Sequence, residues 1–354
     1  MSPFIWTGQP GRVVFGAGAV AGLRDEVERL GATRALVLCT PEQVASADAV
    51  SALLGERSAG VFGRAAMHVP MAVAVAAREH AAAVGADCCV AVGGGSTIGL
   101  GKAIALTSSL PIIAVPTTFA GSEMTAIHGL TEGGVKKTGR DPRVLPRTVV
   151  YDPELLATLP VAVAGPSAMN AIAHCVEALY AVDGNPVVSL MAEEGIRAIA
   201  SGLPRAVALP VDIAARGEVL YGAWLAGASL NGVSMAIHHK LCHTLGGSFD
   251  LAHADTHTVI LPYAVAYNRQ AAPQAMARIR RALGTFDDGD AASGLLALSR
   301  AAGARTTLRE IGMPAAGLDR AADLAVQNPY WNPRPIDRDA IRELLQRAFD
   351  GAPP

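Results

Sequence analysis

The sequence lacks a strong excess of charge of either sign. It has 354 residues, with 29 Lys or Arg and 31 Asp or Glu, which gives a formal net charge of -2. Binding to nucleic acid or to an anionic membrane usually depends on a basic field over much of the surface, and this composition excludes such a field. We therefore expect no nucleic-acid partner and no membrane partner.

Cysteine is scarce, and long apolar runs are absent. The five cysteines, an odd number without framework spacing, indicate free thiols in a reducing compartment. The first residues lack a basic segment followed by an apolar block, so we expect no signal peptide. The longest uncharged stretch, 103–122, contains two prolines and a polar end, which argues against a membrane span. Together these features predict a cytoplasmic protein.

Short apolar strands alternate with helical patterns in the first half of the chain. Such alternation favours a parallel sheet with helices on both faces. The predicted strands are 34–39, 88–92, 111–115 and 147–151, and the predicted helices are 41–54, 70–84 and 97–107. After Asp152 the pattern becomes Ala- and Leu-rich with helical spacing, as in 167–182, 186–199, 216–230 and 337–349. We predict an α/β domain over 1–155 and an all-α domain over 156–354.

A glycine-rich loop follows the second predicted strand and opens a helix. Glycines let the backbone approach a ligand closely, and the N–H groups at a helix start favour an anion such as a pyrophosphate. A tight turn without a ligand would have the same pattern, and the loop is neither G-x-G-x-x-G nor a P-loop. The residues that we assign to cofactor binding here are Gly93, Gly94, Gly95 and Ser96.

A second polar loop, 116–123, follows the next strand. Hydroxyl groups at the carboxyl end of a parallel strand lie where such sheets bind ligands. Thr117 and Thr118 are therefore further candidates for cofactor binding, although a purely structural polar loop is an equally good explanation.

Histidines concentrate in the second half, where six of the nine lie at or after His174. Three pairs are spaced by four residues and would share a helix face: Asn170 with His174, His239 with His243, and His253 with His257. A single histidine would more often be a packing residue. Several at this spacing favour a site that binds a metal or a carboxylate, or that transfers protons.

Taken in order along nearly the whole chain, these motifs resemble the iron-containing alcohol dehydrogenase superfamily. The segments concerned are FGAG at 15–18, the glycine loop, the PTT loop, YDP at 151–153, the Asn170 helix and the 239–253 region. The resemblance implies an N-terminal dinucleotide-binding domain, a helical C-terminal domain and an active site in the cleft between them.

Three departures from the superfamily pattern narrow the resemblance. Asn170 takes the place of the one Asp among four metal ligands, while His174, His239 and His253 match the other three. Gly99 and Thr40 also stand where an Asp is usual, the latter at the position that favours NAD over NADP. With GGGSTIGLGKAIAL, PTTFAGSEMT, SAMNAIAHCVEALY and NPYWNPRP, these departures resemble the maleylacetate reductase branch.

The resemblance implies NADH- or NADPH-dependent reduction of the carbon–carbon double bond of maleylacetate to 3-oxoadipate, in the breakdown of aromatic compounds. Its substrate is a small dicarboxylate, and we expect a homodimer. His243 is the candidate proton donor, and His239, His253, His174 and Asn170 would shape the substrate site. Without the anionic ligand we expect that no metal is required, although three imidazoles can hold zinc.

Three other classes stay open on the sequence alone. The first is a metal-dependent alcohol dehydrogenase that acts on a small alcohol or aldehyde. The second is a lyase or cyclase similar to dehydroquinate synthase, although we find no full metal and phosphate set for it. The third is a non-catalytic nucleotide-binding protein, against which the histidine cluster argues.

Overall fold

The chain forms two compact units, divided between Thr158 and Leu159. The computed structural model describes residues 11–133 and 135–354. The first ten residues, on which the expectation of no signal peptide depends, lie outside the described residues. The division comes a few residues after the boundary at 155 that the sequence predicts.

The first unit is built on a parallel sheet whose strands run in the order β1-β8-β5-β4-β2-β3. Every residue of β2, β4, β5 and β8 is buried, as expected for apolar strands covered on both faces. A separate antiparallel pair is formed by β6 and β7. The strands are β1 (Arg12–Phe15), β2 (Ala35–Leu38), β3 (Ser58–Phe62), β4 (Cys88–Gly93), β5 (Ile112–Pro116), β6 (Ile127–Glu132), β7 (Val135–Arg140) and β8 (Thr148–Tyr151).

Helices cover both faces of this sheet. They are α1 (Leu23–Arg29), α2 (Val44–Leu54), α3 (Met71–Ala83) and α4 (Gly95–Ser108). Val37 belongs to the core that includes α1 and α2, whereas its neighbours Leu36 and Leu38 belong to the core that includes α3 and α4. Because alternate strand residues face opposite sides, one short apolar strand supplies both cores.

The second unit is helical throughout its described residues. Its helices are α5 (Val161–Ala178), α6 (Pro186–Ala208), α7 (Ile213–Gly232), α8 (Ile237–Phe249), α9 (His253–Asn268), α10 (Pro273–Leu283), α11 (Ala291–Ala301), α12 (Leu318–Ala325) and α13 (Arg338–Asp350). One apolar core joins α8 and α9 to α12 and α13. The predicted fold class, an α/β unit followed by a helical unit, is confirmed.

Small residues allow α5, α6 and α7 to pack closely. A Cβ atom added to Gly195 would lie 2.8 Å from Cys175 Sγ and 3.3 Å from the Gly222 carbonyl. A Cβ on Gly222 would in turn lie 2.8 Å from the Gly195 carbonyl. These contacts fix α5, the helix that carries Asn170 and His174, against two neighbours.

The five cysteines are free and buried, in agreement with the prediction of unpaired thiols. Cys88 and Cys89 are fully buried packing residues of β4. Among the described residues, no helix combines the length and the apolar character that crossing a membrane requires.

Candidate active site

The glycine loop of the first unit joins β4 directly to α4. Gly93 has φ +155°, a conformation that side chains other than glycine rarely adopt. A Cβ atom there would also lie 2.9 Å from Gln43 Oε1. Gly93 is thus required by its backbone conformation and by the close approach of a neighbouring side chain.

The next two glycines differ in what surrounds them. A Cβ atom on Gly94 would lie 2.9 Å from Thr118 Cγ2, whereas a Cβ on Gly95 would meet nothing within 4 Å. The first hydrogen bond of the turn runs from the Thr97 N–H to the Gly94 carbonyl, at 3.1 Å. The N–H groups of Gly95 and Ser96 precede that bond, at a helix start that favours an anion.

Hydrogen bonds tie the neighbouring loops to this turn. The Thr117 N–H donates to the Gly93 carbonyl at 3.1 Å, and Gln43 Nε2 donates to Thr117 Oγ1 at 2.7 Å. Thr40 Oγ1 lies 3.5 Å from Gln43 Oε1. The structure therefore brings Thr40, the glycine loop and the threonine loop together at the carboxyl edge of the sheet, as expected for parallel strands.

Sequence reasoning missed Gln43. It lies three residues after Thr40 in the turn that follows β2, and its amide links the ends of β2 and β5. A polar side chain just beyond the end of a buried strand was the available signal. Its partner, 74 positions further along the chain, was not deducible from spacing.

Gly99 has a packing role in place of the usual Asp. A Cβ atom there would lie 2.8 Å from Val69 Cγ2. His68 and Val69 both have positive φ, at 63° and 47°, and a positive φ is rare for a β-branched residue such as Val69. The turn before α3 thus lies against α4 at a position that accommodates glycine, and an Asp would require the turn to shift.

Lys102, on α4, forms hydrogen bonds with the segment that follows Thr118. It is fully buried on α4, and its Nζ donates to the carbonyls of Ser122 and Ile127, both at 2.7 Å, and to Thr125 Oγ1 at 3.0 Å. Burial lowers the pKa of Lys102 to about 7. These three contacts hold the segment after Thr118 in one conformation.

In the second unit, three helices bring the histidines into one group. α5 supplies Asn170 and His174, α8 supplies His238, His239 and His243, and α9 supplies His253 and His257. The ring centroids of His174 and His239 are 5.3 Å apart, and those of His239 and His243 are 6.1 Å apart. The ring centroids of His253 and His257 are 4.2 Å apart. Each predicted pair lies on a single helix.

Glu177 organises this group, and sequence reasoning gave it no role. Its carboxylate is fully buried and accepts the N–H groups of Ala236 and His238, both at 2.7 Å, at the start of α8. Its Oε2 atom lies 2.8 Å from His239 Nδ1. The carboxylate therefore caps α8 and fixes the orientation of the His239 ring.

His238 and His257 form a second buried pair. His238 Nε2 lies 3.0 Å from His257 Nδ1, and Cys242 Sγ lies 3.6 Å from the same His238 nitrogen. The four-residue spacing predicted that His257 shares a helix face with His253, but no pattern links it to His238, which lies 19 positions earlier.

The two remaining histidines are exposed. His243 and His253 both have high exposure, in contrast to the other members of the group. His243 Nδ1 lies 3.2 Å from the hydroxyl of Tyr330, within the NPYWNPRP segment. An accessible imidazole with a hydroxyl partner is suited to proton transfer.

Burial is the main influence on the protonation of the inner histidines. It lowers the pKa of His174, His238 and His257 well below the usual range, and the neighbouring imidazoles lower it further. These rings are therefore neutral near pH 7. They can donate one hydrogen bond each, but they do not supply positive charge to an anion.

The residues at the superfamily's metal positions suit a divalent ion in their donor chemistry. His239 Nε2 and His174 Nδ1 are buried and have no hydrogen-bond partner within the described chain. The Glu177 carboxylate behind His239 is the partner that a metal-binding imidazole usually has. Asn170 offers an amide oxygen, so this donor set is neutral and accepts a divalent ion less strongly than one with Asp.

Comparison with known families matches both units. The family described as Fe-containing alcohol dehydrogenase, C-terminal, matches residues 165–349, and that described as iron-containing alcohol dehydrogenase matches 10–153. The family name includes iron, which does not support the expectation that no metal is required.

Full-length relatives extend this similarity. A maleylacetate reductase of Burkholderia cepacia is 59% identical over 354 residues, covering 100% of both chains. The crystal structure of maleylacetate reductase from Agrobacterium tumefaciens has a TM-score of 0.96 and 52% identity, covering 100% of both chains. An iron-containing alcohol dehydrogenase from Corynebacterium glutamicum has a TM-score of 0.93 and 42% identity, covering 99% of this chain and 97% of its own.

Proposed function

Because this chain belongs to the iron-containing alcohol dehydrogenase family, we propose that it reduces the carbon–carbon double bond of maleylacetate to 3-oxoadipate with NADH or NADPH. The observation that carries the proposal is full-length similarity to maleylacetate reductases, at more than half of all positions. The reaction serves the breakdown of aromatic compounds, and its substrate is a small dicarboxylate.

The first unit holds the cofactor. Gly95 and Ser96 receive the pyrophosphate at the start of α4, where the space beside the Gly95 Cα is open. Gly93 and Gly94 keep the turn tight, and Thr117 and Thr118 offer hydroxyl groups from the adjacent loop. Thr40 lies at the end of β2, where its neutral side chain does not repel a 2′-phosphate.

Bound NADH or NADPH supplies a hydride, which the substrate takes up at the alkene carbon β to its ketone. Negative charge then develops on the ketone oxygen, and N–H groups of neutral imidazoles stabilise it without becoming charged themselves. His243 donates the proton to the other alkene carbon, which lies between the carbon that received the hydride and the ketone. One hydride and one proton added to the double bond balance the reaction.

The other predicted site residues position the substrate. His239 is fixed by Glu177, so its Nε2 keeps one orientation relative to the group. His174, stacked beside it, and the exposed His253 contact the carboxylates and the ketone oxygen. Asn170 presents an uncharged amide, which avoids the repulsion that an Asp carboxylate would exert on a dianion.

A divalent ion, where bound, would be held by Asn170, His174, His239 and His253, and would polarise the ketone oxygen as a Lewis acid. The protein's own part is then to set the orientation of His239 through Glu177 and to keep Asn170 neutral. Both arrangements place the proton-donor role on His243.

An alcohol dehydrogenase is the main rival. It would transfer hydride to a carbonyl carbon and form an alcohol, so it predicts a different product from the same substrate. A lyase similar to dehydroquinate synthase would show no net oxidation of NADH, and a nucleotide-binding protein would bind the cofactor without turnover.

The test is to mix the purified protein with NADH and maleylacetate and to follow the absorbance of the reduced nicotinamide. The proposal predicts loss of absorbance with one equivalent of 3-oxoadipate formed per NADH consumed. Absence of NADH oxidation, or formation of a hydroxy acid, would contradict it.

Two further proposals concern the state of the protein. The five free thiols support action in the cytoplasm, where cysteines stay reduced. We also propose a homodimer, which light scattering of the purified protein would test. A mass of one chain, 36.3 kDa, would contradict it.

A further inference from the structure

Four ring nitrogens of the histidine group are buried and have no hydrogen-bond partner in the described chain: His174 Nδ1, His238 Nδ1, His239 Nε2 and His257 Nε2. His257 is fully buried, its Nδ1 contacts His238, and its Nε2 has no hydrogen-bond partner among residues 11–133 and 135–354. A buried polar nitrogen in this state is costly and needs an explanation. The His257 ring lies 4.2 Å from that of His253 and 4.9 Å from that of His239, so it belongs to the candidate site.

The contacts of His238 decide which nitrogen of His257 carries the proton. His238 Nε2 faces two groups, His257 Nδ1 at 3.0 Å and Cys242 Sγ at 3.6 Å. If His238 Nε2 were a lone pair, the Cys242 thiol and a His257 N–H would compete for it. If it carries the hydrogen, it donates to His257 Nδ1, and the sulfur is a weak second acceptor.

The other nitrogen of His238 favours the same arrangement. His238 Nδ1 is buried and has no hydrogen-bond partner in the described part of the chain. Either direction of the His238–His257 hydrogen bond leaves one N–H without a protein partner, on His238 Nδ1 or on His257 Nε2. An N–H on His257 lies beside the rings of His239 and His253, where a bound ligand can accept it, so a proton on His257 Nε2 avoids an N–H that stays unmet. His238 is therefore protonated on Nε2, His257 accepts through Nδ1, and His257 presents an N–H at Nε2.

We propose that His257 is a catalytic residue whose Nε2–H donates to the substrate ketone oxygen, with His238 as the positioning residue that fixes this tautomer. The inference rests on the proposed function and names a residue for it. A neutral donor suits this role because the oxygen gains charge during hydride transfer, and a fixed N–H stabilises that charge without prior reorganisation.

The chain Cys242–His238–His257 has a competing explanation as a metal site. Its three donor atoms lie within 4.8 Å of one another, and all three residues are buried. The two imidazole nitrogens are 3.0 Å apart, which is a hydrogen-bond distance. Two nitrogen ligands of one tetrahedral zinc, each bonded at about 2.0 Å, would lie about 3.3 Å from one another. The geometry favours the hydrogen bond.

The kinetic test compares two substitutions at one position. His257→Leu removes the donor, and His257→Gln keeps an N–H at the end of a side chain of similar reach. We expect His257→Leu to lower kcat for maleylacetate by about 10²–10³ while NADH affinity is unchanged, as for loss of one oxyanion donor. His257→Gln should recover at least tenfold of that loss. A His257→Leu variant with kcat within threefold of the parent, or a Gln variant no better than Leu, would overturn the role.

A second measurement does not depend on turnover. In protein with ¹⁵N-labelled histidine, nitrogen shifts should show His257 protonated at Nε2, and His238→Gln, whose amide retains a donor, should preserve that state. Binding of 3-oxoadipate should shift the Nε2 resonance. Protonation at Nδ1 would overturn the inference even in an active enzyme, whereas an inactive parent with the expected tautomer would count against the proposed function instead.

The metal explanation has its own readout. Addition of Co²⁺ should give no thiolate-to-cobalt absorption band if Cys242 is a weak acceptor in a hydrogen-bonded chain. A band that disappears in Cys242→Ser would assign the three residues to a metal and would contradict the donor role.

Discussion

At the scale of the residue, His243 and its neighbours divide the work of the site. His243 is exposed and has a hydroxyl partner in Tyr330, whereas His174, His238 and His257 are buried and neutral. A proton donor must exchange its proton with solvent between turnovers. Among these residues, the exposed imidazole is the one placed to do so, which is why the proton transfer is assigned to it.

Replacement of His243 by Ala is expected to lower turnover by about 10²–10⁴, the usual range for loss of a general acid. NADH affinity should hold, since the cofactor loops belong to the other unit. Turnover, NADH affinity and melting temperature should be measured on the same preparation. Tyr330→Phe is the matched control, because it removes the hydroxyl partner and leaves the imidazole, and it should have a much smaller effect.

A His243→Ala variant with normal turnover per folded molecule would end the proton-donor role. It would show instead that His243 is a packing residue of α8, and the assignment would move to His253 or His174.

We propose that Asn170 sets the affinity of the site for metal. Substitution by Asp adds the anionic ligand that the wider family has, so Asn170→Asp should bind Fe²⁺ or Zn²⁺ at least about tenfold more tightly than the parent, or roughly 1.4 kcal/mol. Equilibrium dialysis followed by metal analysis measures this directly. Equal metal content in both proteins after dialysis would contradict it, and activity of the parent after chelation would show how far the reaction depends on the ion.

Which residues the sequence could reveal depended on the distance to their partners. The histidines were predictable because each pair lies on one helix at four-residue spacing. The role of Glu177 was not predictable, because its hydrogen-bond partners on α8 lie about sixty positions away in the sequence. They become its neighbours only when α5 packs against α8. The same holds for Gln43, whose role depends on the adjacency of β2, β4 and β5.

At the scale of the element, the turn from β4 to α4 depends on three glycines with different duties. Gly93 and Gly94 are packed against protein, whereas Gly95 faces open space. Substitution of Gly93 or Gly94 would therefore alter the fold of the loop, and only a substitution of Gly95 tests ligand binding separately from folding.

Gly95→Val should raise the Michaelis constant for NADH by about tenfold or more, because a branched side chain would occupy the space that the pyrophosphate approaches. The melting temperature should change little. Gly22→Val is the matched control, since a Cβ at Gly22 in the same unit also meets nothing within 4 Å. Equal NADH constants in both variants would show that the cofactor binds elsewhere.

The buried central strands were predictable as elements, and the edges were not. β2, β4, β5 and β8 are short apolar runs, and the structure places them within a residue or two of their predicted limits. β1 and β3 lie at the two edges of the sheet and are only partly buried, so their sequences lack a continuous apolar run. The β6–β7 hairpin was missed for a similar reason, because its residues alternate with glycines and charges.

At the scale of the whole molecule, we propose that cofactor choice is set at the carboxyl edge of the sheet of the first unit. Thr40 lies two residues after β2, and its neutral hydroxyl is 3.5 Å from Gln43 Oε1. Thr40 itself brings no carboxylate to repel the 2′-phosphate of NADPH, and the Glu42 carboxylate beside it accepts a hydrogen bond from the Thr40 side chain. From the hydroxyl at position 40 we expect weak discrimination between the cofactors.

We expect kcat/KM for NADH and for NADPH to agree within about tenfold, or roughly 1.4 kcal/mol. Steady-state kinetics with each cofactor at saturating maleylacetate gives the ratio. Thr40→Asp should shift it toward NADH, while Ala49→Asp on the exposed face of α2 should not. A thousandfold preference in the parent, in either direction, would contradict this account of Thr40.

The division of the chain into an α/β unit and a helical unit was also visible in the sequence, because the change from short apolar strands to long Ala-rich helices is a change of period. The function required more than the pattern. Spacing indicated a histidine site, and the identity of the substrate rests on similarity to full-length relatives.

The most direct test of the central claim is the fate of the hydride. With NADH deuterated at the transferred position, maleylacetate should yield 3-oxoadipate that carries deuterium on the methylene carbon β to the ketone, and a solvent proton on the methylene between that carbon and the ketone. Proton NMR of the product distinguishes these sites. Deuterium on a carbinol carbon, with the double bond intact, would show that the protein reduces the carbonyl and would contradict the account.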